Sequence, residues 1–515
     1  MTQQESGFQH NALGDLAAVG QVTQTSARFW MRSQRPGKHE LELVSENGSP
    51  GARLEFEVPD VPEDDGTHSI GHPEETGGDP LQPGQWYRWR VRRLGDGAEL
   101  GSGRLATAPR SPDEAPDRFS IGILSCNQPF DAAGRARRRA QKTVGVLPRA
   151  FEDHEVRRVI MLGDQMYADY PPALSLLNDD YFSRLKVSGR RTLLDCTREE
   201  VRRLYQQRYR IYWGLEPVKK LHQAFPSYLI PDDHEIYDNF GAAPSHRQGA
   251  LGRVGEGALD ACYDYQGLRT RARVGVRPPS LHCAFEYGPL AAFIMDLRSQ
   301  KRAVNGKIHL YGEDQFAALE DYLAHQAHRP VFLLGLSVPL VHLPTRAATW
   351  AARLLNEGSD LADRWDHERA THDRRRLARV LRRHQQRHAD QRIIIVAGDI
   401  HVGLAHRLHW TDSDRELVQF VSSPVSNVEG RLFRTVARWL PLLTNGWLMG
   451  EKDCSWRVRL LEGSGAARRN PFAGLNAGII ELTRKDGRWE TRLKIVSHVH
   501  GSRHRYRIPY RSVAL

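Results

Sequence analysis

Two stretches of this chain share one layout. Arg157-Arg158-Val159-Ile160-Met161-Leu162-Gly163-Asp164 and Gln391-Arg392-Ile393-Ile394-Ile395-Val396-Ala397-Gly398-Asp399 each run from charge through a branched apolar segment to Gly-Asp. Such a segment predicts a strand buried on both faces. The glycine breaks the strand and lets the backbone turn. The aspartate then stands at the strand's carboxyl end, where open α/β sheets hold their ligands. Tyr167 follows Asp164 closely enough for one turn to bring its phenol to the same side. His401 lies two residues after Asp399, and in extended chain i and i+2 point the same way. Carboxylate with phenol, and carboxylate with imidazole, are donor sets for a metal ion. The plain alternative at the first stretch is an N-capping aspartate beside a core tyrosine. Two such strand ends, far apart in the chain, predict a site assembled by a sheet.

The rest of the chain supplies that sheet. Buried strands are predicted at Ile121–Leu124, Val159–Leu162, Tyr228–Ile230, Leu290–Met295, Val331–Leu334, Ile393–Ala397 and Leu417–Val421. Arg-rich helical stretches such as Arg198 to Tyr212 and His372 to His388 lie between them, which indicates an α/β class. The last part, Ala477 to Val496, reads as a hairpin turning at Asp486-Gly487. Before residue 109 the texture differs. Short alternating segments at Val19–Thr23, Ser26–Arg32, Glu40–Val44, Arg53–Val58 and Trp86–Val91 predict an antiparallel sandwich of the fibronectin or immunoglobulin kind. Residues 59 to 85 are acidic and rich in Pro and Gly, and read as a long loop. The predicted organisation is therefore a β-sandwich over 13–108, a Pro-rich linker over 109–118 and an α/β domain over 119–515.

Composition narrows the function classes. A formal net charge of +11, carried mostly by arginine, suits an anionic substrate, although arginines spread over solvated faces explain most of it. No zinc-finger spacing, nucleic-acid module or long basic tail is present, so no specific nucleic-acid partner is expected. The odd set of five cysteines contains no C-x-x-C pair and fits a reducing compartment. Met1 to Phe8 has neither a basic nor an apolar signal region, so a cytoplasmic location is expected. No run is long enough to span a membrane. Phe433 to Met449, broken by Arg434, Arg438 and Pro441, reads as an amphipathic helix and loop packed on the core rather than lying on a membrane.

Four predicted strands end in polar residues. The first ends in Ser125-Cys126-Asn127, where Cys126 is either a small buried hydrophobe or a thiolate ligand. The second ends at Asp164 and Tyr167, and the fourth at Asp399 and His401. The third is Asp232-Asp233-His234-Glu235-Ile236-Tyr237-Asp238-Asn239, a crowding of acids that bound cations would relieve. Together, and in this order, these ends resemble the PhoD-like (alkaline phosphatase D) family of the calcineurin-like metallophosphoesterase superfamily. The resemblance runs over nearly the whole chain. Asp296-Leu297-Arg298 is similar to the family's D-x-R segment, and Asp363-Arg364-Trp365-Asp366 to its D-x-W-D segment.

The resemblance implies a four-layer α-β-β-α domain preceded by the small sandwich. It implies a multinuclear centre of Fe³⁺ and Ca²⁺, or another divalent ion such as Mn²⁺, Mg²⁺ or Zn²⁺. Cys126, Asp164 and Tyr167 would bind the ferric ion, with Asp164 bridging. Asp233, Asp399 and His401 would complete the site, with Asn239 beside them. Thiolate and phenolate suit Fe³⁺, while carboxylate and amide oxygens suit Ca²⁺. The implied activity is hydrolysis of a small anionic phosphate ester, mono- or diester, by metal-activated hydroxide. His234 would protonate the leaving alkoxide, or only orient the site. Arg298 would pair with phosphate, or form a salt bridge to Asp296. The other reading is a divergent PhoD-fold protein, weakly active, that binds a phosphate ligand or acts as a scaffold.

Further motifs bound the choice. There is no G-x-S-x-G elbow and no phosphate-binding loop of the G-x-x-x-x-G-K-S/T type. Asp153-His154-Glu155 and Asp366-His367-Glu368 repeat the letters of the third end without a preceding strand. Trp365 either covers the site or is packed. Phe332 to His342 lacks the polar strand end expected between the D-x-R and G-D-x-H segments, which marks a divergent subgroup. The Arg-rich region from Arg135 to Tyr212 is expected to shape the cleft rim.

Overall fold

A computed structural model describes residues 13–48, 51–354, 364–451, 454–502 and 504–515. Met1 to Phe8 and Asp363, which carry expectations above, lie outside the described residues. The first strands are β1 (Leu16–Val22), β2 (Ala27–Arg32), β3 (Gly37–Ser45), β4 (Ala52–Val58), β5 (Thr67–His72), β6 (Trp86–Arg93) and β7 (Glu99–Ala106). They form two antiparallel sheets, β1-β2-β5 and β4-β3-β6-β7. Alternate residues from both, among them Val19, Phe29, Leu41, Leu43, Trp89 and Val91, share one apolar cluster. β5 corrects the expectation of a continuous loop over 59 to 85. Ile70 is its one aliphatic residue, so it has almost no hydrophobic signature. It becomes a strand by pairing along β2, from Ala27↔His72 to Arg32↔Thr67.

These strands are bound to the rest by charge and aromatic contact. The Trp30 indole N–H donates to the Asp264 carbonyl at 2.7 Å, and its ring meets Trp213 edge-on. Asp65 takes Arg32, Arg210 and the Tyr265 hydroxyl. Arg202 bridges Asp64 at 2.8 Å and Asp264 at 2.7 Å. Arg202 and Arg210 therefore face the N-terminal strands rather than a cleft rim.

Two larger sheets follow. One contains β8 (Arg118–Leu124), β9 (Val156–Leu162) and β10 (Ser227–Ile230), which run parallel. The other begins with β11 (Cys283–Tyr287) and β12 (Leu290–Ile294), which precede a small hairpin of β13 (Arg302–Val304) and β14 (Lys307–His309). It goes on through β15 (Val331–Leu336), β16 (Arg392–Ala397), β17 (Leu404–Trp410), β18 (Glu416–Val421), β19 (Leu448–Glu451) and β20 (Cys454–Leu460). The first sheet is completed by β21 (Gly463–Arg468), β22 (Ala477–Lys485), β23 (Arg488–His498) and β24 (Tyr506–Ser512). The strand orders are β10-β9-β8-β22-β23-β24-β21 and β11-β12-β15-β16-β18-β17-β20-β19. The β22–β23 turn uses Asp486 and Gly487, both with positive φ, as an Asp-Gly hairpin turn requires.

The parallel strands are buried on both faces, as their apolar runs predict. Ile121, Ile160, Leu162 and Ile230 share a cluster with Ile294, Leu333, Ile394 and Val396 of the other sheet. The alternate residues Val159 and Met161 pack with Leu147, Val201, Tyr205 and Leu259 from helices Arg138–Asp153, Arg198–Trp213 and Gly249–Tyr265. Phe293, Leu334, Ile393 and Ile395 pack with Phe316, Leu319, Leu377 and Leu381 from helices Glu313–His325 and Thr371–Arg387. All five cysteines are buried, and no disulfide joins them. Among the described residues no helix is long and apolar enough to cross a membrane.

Candidate metal centre

The carboxyl ends of β8, β9, β10, β15, β16 and β18 meet where the two large sheets come close. Two glycines permit this. A Cβ on Gly163, whose φ is +84°, would lie 2.4 Å from Asp232 Cβ; a Cβ on Gly398 would lie 2.6 Å from Ser125 Cβ and 2.9 Å from the Leu162 carbonyl. The residues that follow are bent as tightly. Cys126, Asp164, Asn239, Asp399 and His401 have φ values of 56°, 54°, 60°, 64° and 55°. Left-handed backbone costs a non-glycine residue about 1–2 kcal/mol, so five at one place mark a site held by its surroundings.

Asp164 is the centre of the first group. Its Oδ2 accepts the Tyr167 hydroxyl at 3.1 Å and the Cys126 thiol at 3.3 Å. Ser423, just beyond β18, donates to Cys126 Sγ at 3.1 Å. Burial, reinforced by the Asp164 carboxylate, pushes the Cys126 thiol and the Tyr167 phenol well above their usual ranges. Burial also pushes Asp164 well up, against the pull of His234. These are three acids that need a cation beside them to ionise.

The third strand end has its own scaffold. Glu235 accepts the backbone N–H groups of Asp164 (2.8 Å), Gln165 (2.6 Å) and Asp232 (2.8 Å), and the Gln266 amide at 2.9 Å. It is a clamp between two strand ends, and burial still pushes it up to about 7. Asp232 Oδ1 takes the Arg298 guanidinium and the Ser337 hydroxyl. Burial outweighs Arg298 and lifts Asp232 to about 6. Asp233 lies 3.6 Å from Arg298 and accepts the Asn239 N–H at 2.9 Å. There Arg298 and His234 outweigh burial and hold the carboxyl below its usual range. His234 stacks on Tyr167 with ring centroids 4.1 Å apart, and its Nδ1 donates to Asp169 at 2.8 Å. Burial alone would lower His234, but Asp169 and Asp164 outweigh it and raise it well above the ordinary histidine range.

Donor atoms of Asp164, Asp233 and His234 come within 4.8 Å of one another, as do those of Asp164, Asp232 and Asp399. Asp164 belongs to both trios. Its Oδ1 and Asp232 Oδ2 are buried with no hydrogen-bond partner among the described residues. A buried carboxylate oxygen left without a donor costs about 1–3 kcal/mol. Orphaned oxygens facing acids that cannot ionise alone fit one or two bound cations.

The expected residues separate here. Cys126, Asp164, Tyr167, Asp233, His234 and Asp399 come together, with Asn239 fixed against Asp233. His401 joins neither trio: Glu429 holds its Nδ1 at 2.7 Å and Asn427 lies 3.3 Å from its Nε2. Arg298 is 2 % exposed and engages Asp232 and Asp233, and its backbone N–H donates to Asp296 at 2.9 Å. Four further residues belong to the site: Asp232 as a donor, Asp169 as the partner of His234, Glu235 as the clamp and Arg364, 2.9 Å from Asp399. Asp232 and Glu235 stood in the acidic run, Asp169 closed the stretch Tyr167-Ala168-Asp169 and Arg364 stood inside the D-x-W-D segment, but no spacing pointed to these partners. Ser337 supplies the polar end that the β15 segment was expected to lack.

The other motifs are structural. Asp366 accepts the N–H groups of His342 and Leu343 and pairs with Arg374 at 2.5 Å. Trp365 is packed in the core beside Tyr311. Asp153 accepts the Tyr506 hydroxyl and Glu155 pairs with Arg118 at 2.6 Å, both on the surface. A separate trio, His309, His372 and Asp373, lies at the β13–β14 hairpin.

Comparison with known proteins bears on the family and the fold. A sequence profile described as PhoD-like phosphatase matches residues 138–437. The solved structure titled "Structure of PhoD" superposes with a TM-score of 0.62 at 15 % identity, covering 96 % of this chain and 88 % of that one. A human collagen alpha-1(XX) fn3 domain is similar over 20 % of this chain and 90 % of its own, at 20 % identity and a TM-score of 0.15. No curated protein sequence matches the chain significantly.

Proposed function

The chain belongs to the PhoD-like phosphatase family, and from that premise we propose that it is a metal-dependent hydrolase of small anionic phosphomonoesters or phosphodiesters. Membership supports phosphoester hydrolysis in general. The observation that carries the rest is Asp164, shared by two donor trios and gripped by a thiol and a phenol. Cys126, Tyr167 and Asp164 would hold a ferric ion, and Asp164 with Asp232, Asp233 and Asp399 a divalent ion such as Ca²⁺. Bound there, the ions would supply positive charge to phosphate oxygens and acidify water.

The protein's own groups do the remaining work. Asp169 fixes the His234 tautomer, and Tyr167 fixes the ring plane. His234, raised by Asp169 and Asp164, would give its proton to the leaving alkoxide. Arg298 orients Asp232 and Asp233 rather than clamping phosphate. His401, held by Glu429, lines the neighbouring cavity. We read 13–108 as a β-sandwich, 109–118 as a linker and 119–515 as one α-β-β-α domain. The cluster shared by the two large sheets, and the helix clusters on their other faces, support that layering.

The test is turnover of p-nitrophenyl phosphate and bis-p-nitrophenyl phosphate by metal-replete protein, with Asp164→Asn beside it. Activity lost in the variant and on chelation is expected, and the ratio of the two substrates ranks monoester against diester. Metal-replete protein inactive on both would overturn the reading.

A further inference from the structure

A cavity of about 630 Å³ opens beside His401. Its wall carries Arg139, Arg434, Arg438, Arg468, Arg469 and Arg507. Among the described residues none of the six is paired with a carboxylate. The one acid on the wall, Glu429, is engaged by His401. Unpaired arginines around one cavity are a receptor for phosphate groups.

One side of this cavity is helix Arg431–Leu443, the segment expected to be packed on the core. The structure corrects that expectation. Arg434, Arg438 and Leu442 face the cavity, and Ala437 joins Ile400 and Val402 in a small cluster under the helix. The outer stripe is bare. Leu432, Val436, Trp439 and Leu443 recur at helical spacing and are 80 %, 54 %, 55 % and 67 % exposed. Trp447 and Leu448 continue the patch at 51 % and 57 %. Seven of the sixteen exposed large hydrophobics among the described residues fall between Leu432 and Leu448. Such concentration marks an interaction surface rather than scattered surface apolarity.

We propose that this helix and the Trp447–Leu448 pair at the start of β19 dock on an anionic lipid surface, whose phosphate head groups enter the arginine-lined cavity beside His401. Two features favour a lipid over a protein occupant. A single helix with a bare apolar stripe, tryptophans at its edge and arginines beside it is suited to lie in the plane of a bilayer interface. The chain's net charge of +11 and the six arginines match a negative surface.

The test is co-sedimentation of the full chain with vesicles of phosphatidylcholine, with and without phosphatidylglycerol. Binding is expected only with phosphatidylglycerol, weakening as salt rises. Leu432→Ser/Trp439→Ser/Leu443→Ser should weaken it about tenfold or more through lost apolar burial. Arg434→Gln/Arg438→Gln should remove the preference for the anionic lipid. Undiminished hydrolysis of a soluble ester by the serine variant would show that it is folded and would separate this inference from the hydrolase reading. No binding to anionic vesicles would overturn the proposal, as would binding unchanged in the serine variant. So would a dimer, seen by light scattering, that the serine substitutions dissolve, since a second copy would then be the occupant.

Discussion

At the end of β9, Asp164 is enclosed: a thiol, a phenol, and a backbone amide pinned by Glu235 surround it, and it is 1 % exposed. At the end of β16, Asp399 has the same Gly-Asp approach and the same left-handed turn. Yet its side chain is 17 % exposed and its neighbour is the Arg364 guanidinium. The first end gathers acids whose burial outweighs the pull of His234; the second has the Arg364 guanidinium against its carboxylate. One layout thus makes a closed, metal-demanding end and an open, partly neutralised one. The difference lies in what the opposite sheet and the following loops bring.

The largest effect should come from exchanging the charge at each end. Asp164→Asn should lower kcat/KM about 10³-fold, and Asp399→Asn about 10- to 100-fold. Metal analysis beside the kinetics should show fewer ions bound to the first variant. Equal losses would mean that the two ends share the work evenly. Next, His234→Ala should cost about 10²-fold, more on poor leaving groups than on activated aryl esters. Asp169→Asn should share that dependence, because it acts through His234. Insensitivity to the leaving group in both would assign the pair to orientation alone.

Backbone tests come third. Gly163→Ala should destabilise the protein by about 3 kcal/mol, because its positive φ adds to the clash with Asp232. Gly398→Ala, which has the clash without the φ, should cost less in thermal unfolding of metal-free protein. Tyr167→Phe should abolish a visible phenolate-to-iron charge-transfer band, and a colourless protein with full iron content would remove Tyr167 from the ligands. The smallest effect should be Glu429→Gln, under about tenfold in kcat/KM, because His401 reaches neither donor trio. A loss as large as that of Asp399→Asn would place His401 at the metals after all.

Much of this was legible in the residues themselves. The parallel strands around Ile160 and Ile394 stand where their apolar runs placed them. The Asp486-Gly487 turn closes the expected hairpin, and six of the nine expected site residues meet around Asp164. β5 escaped because a strand with one aliphatic residue exists only by pairing along β2. Arg202 and Arg210 escaped because a helix pattern shows only which residues are charged, and their partners Asp64 and Asp65 are remote in the chain.

Strands, the turns after them and the chemical types at each strand end follow from local pattern, because periodicity, glycine freedom and turn residues act over a few neighbours. Only the tertiary structure decided that Arg298 is consumed by Asp232 and Asp233, that His401 turns to Glu429, that Asp366 clasps a loop and that the stripe from Leu432 to Leu443 is bare. Those outcomes depend on which side chains two separate sheets bring within a few ångströms, and ion pairing and burial are set by that register rather than by any local pattern.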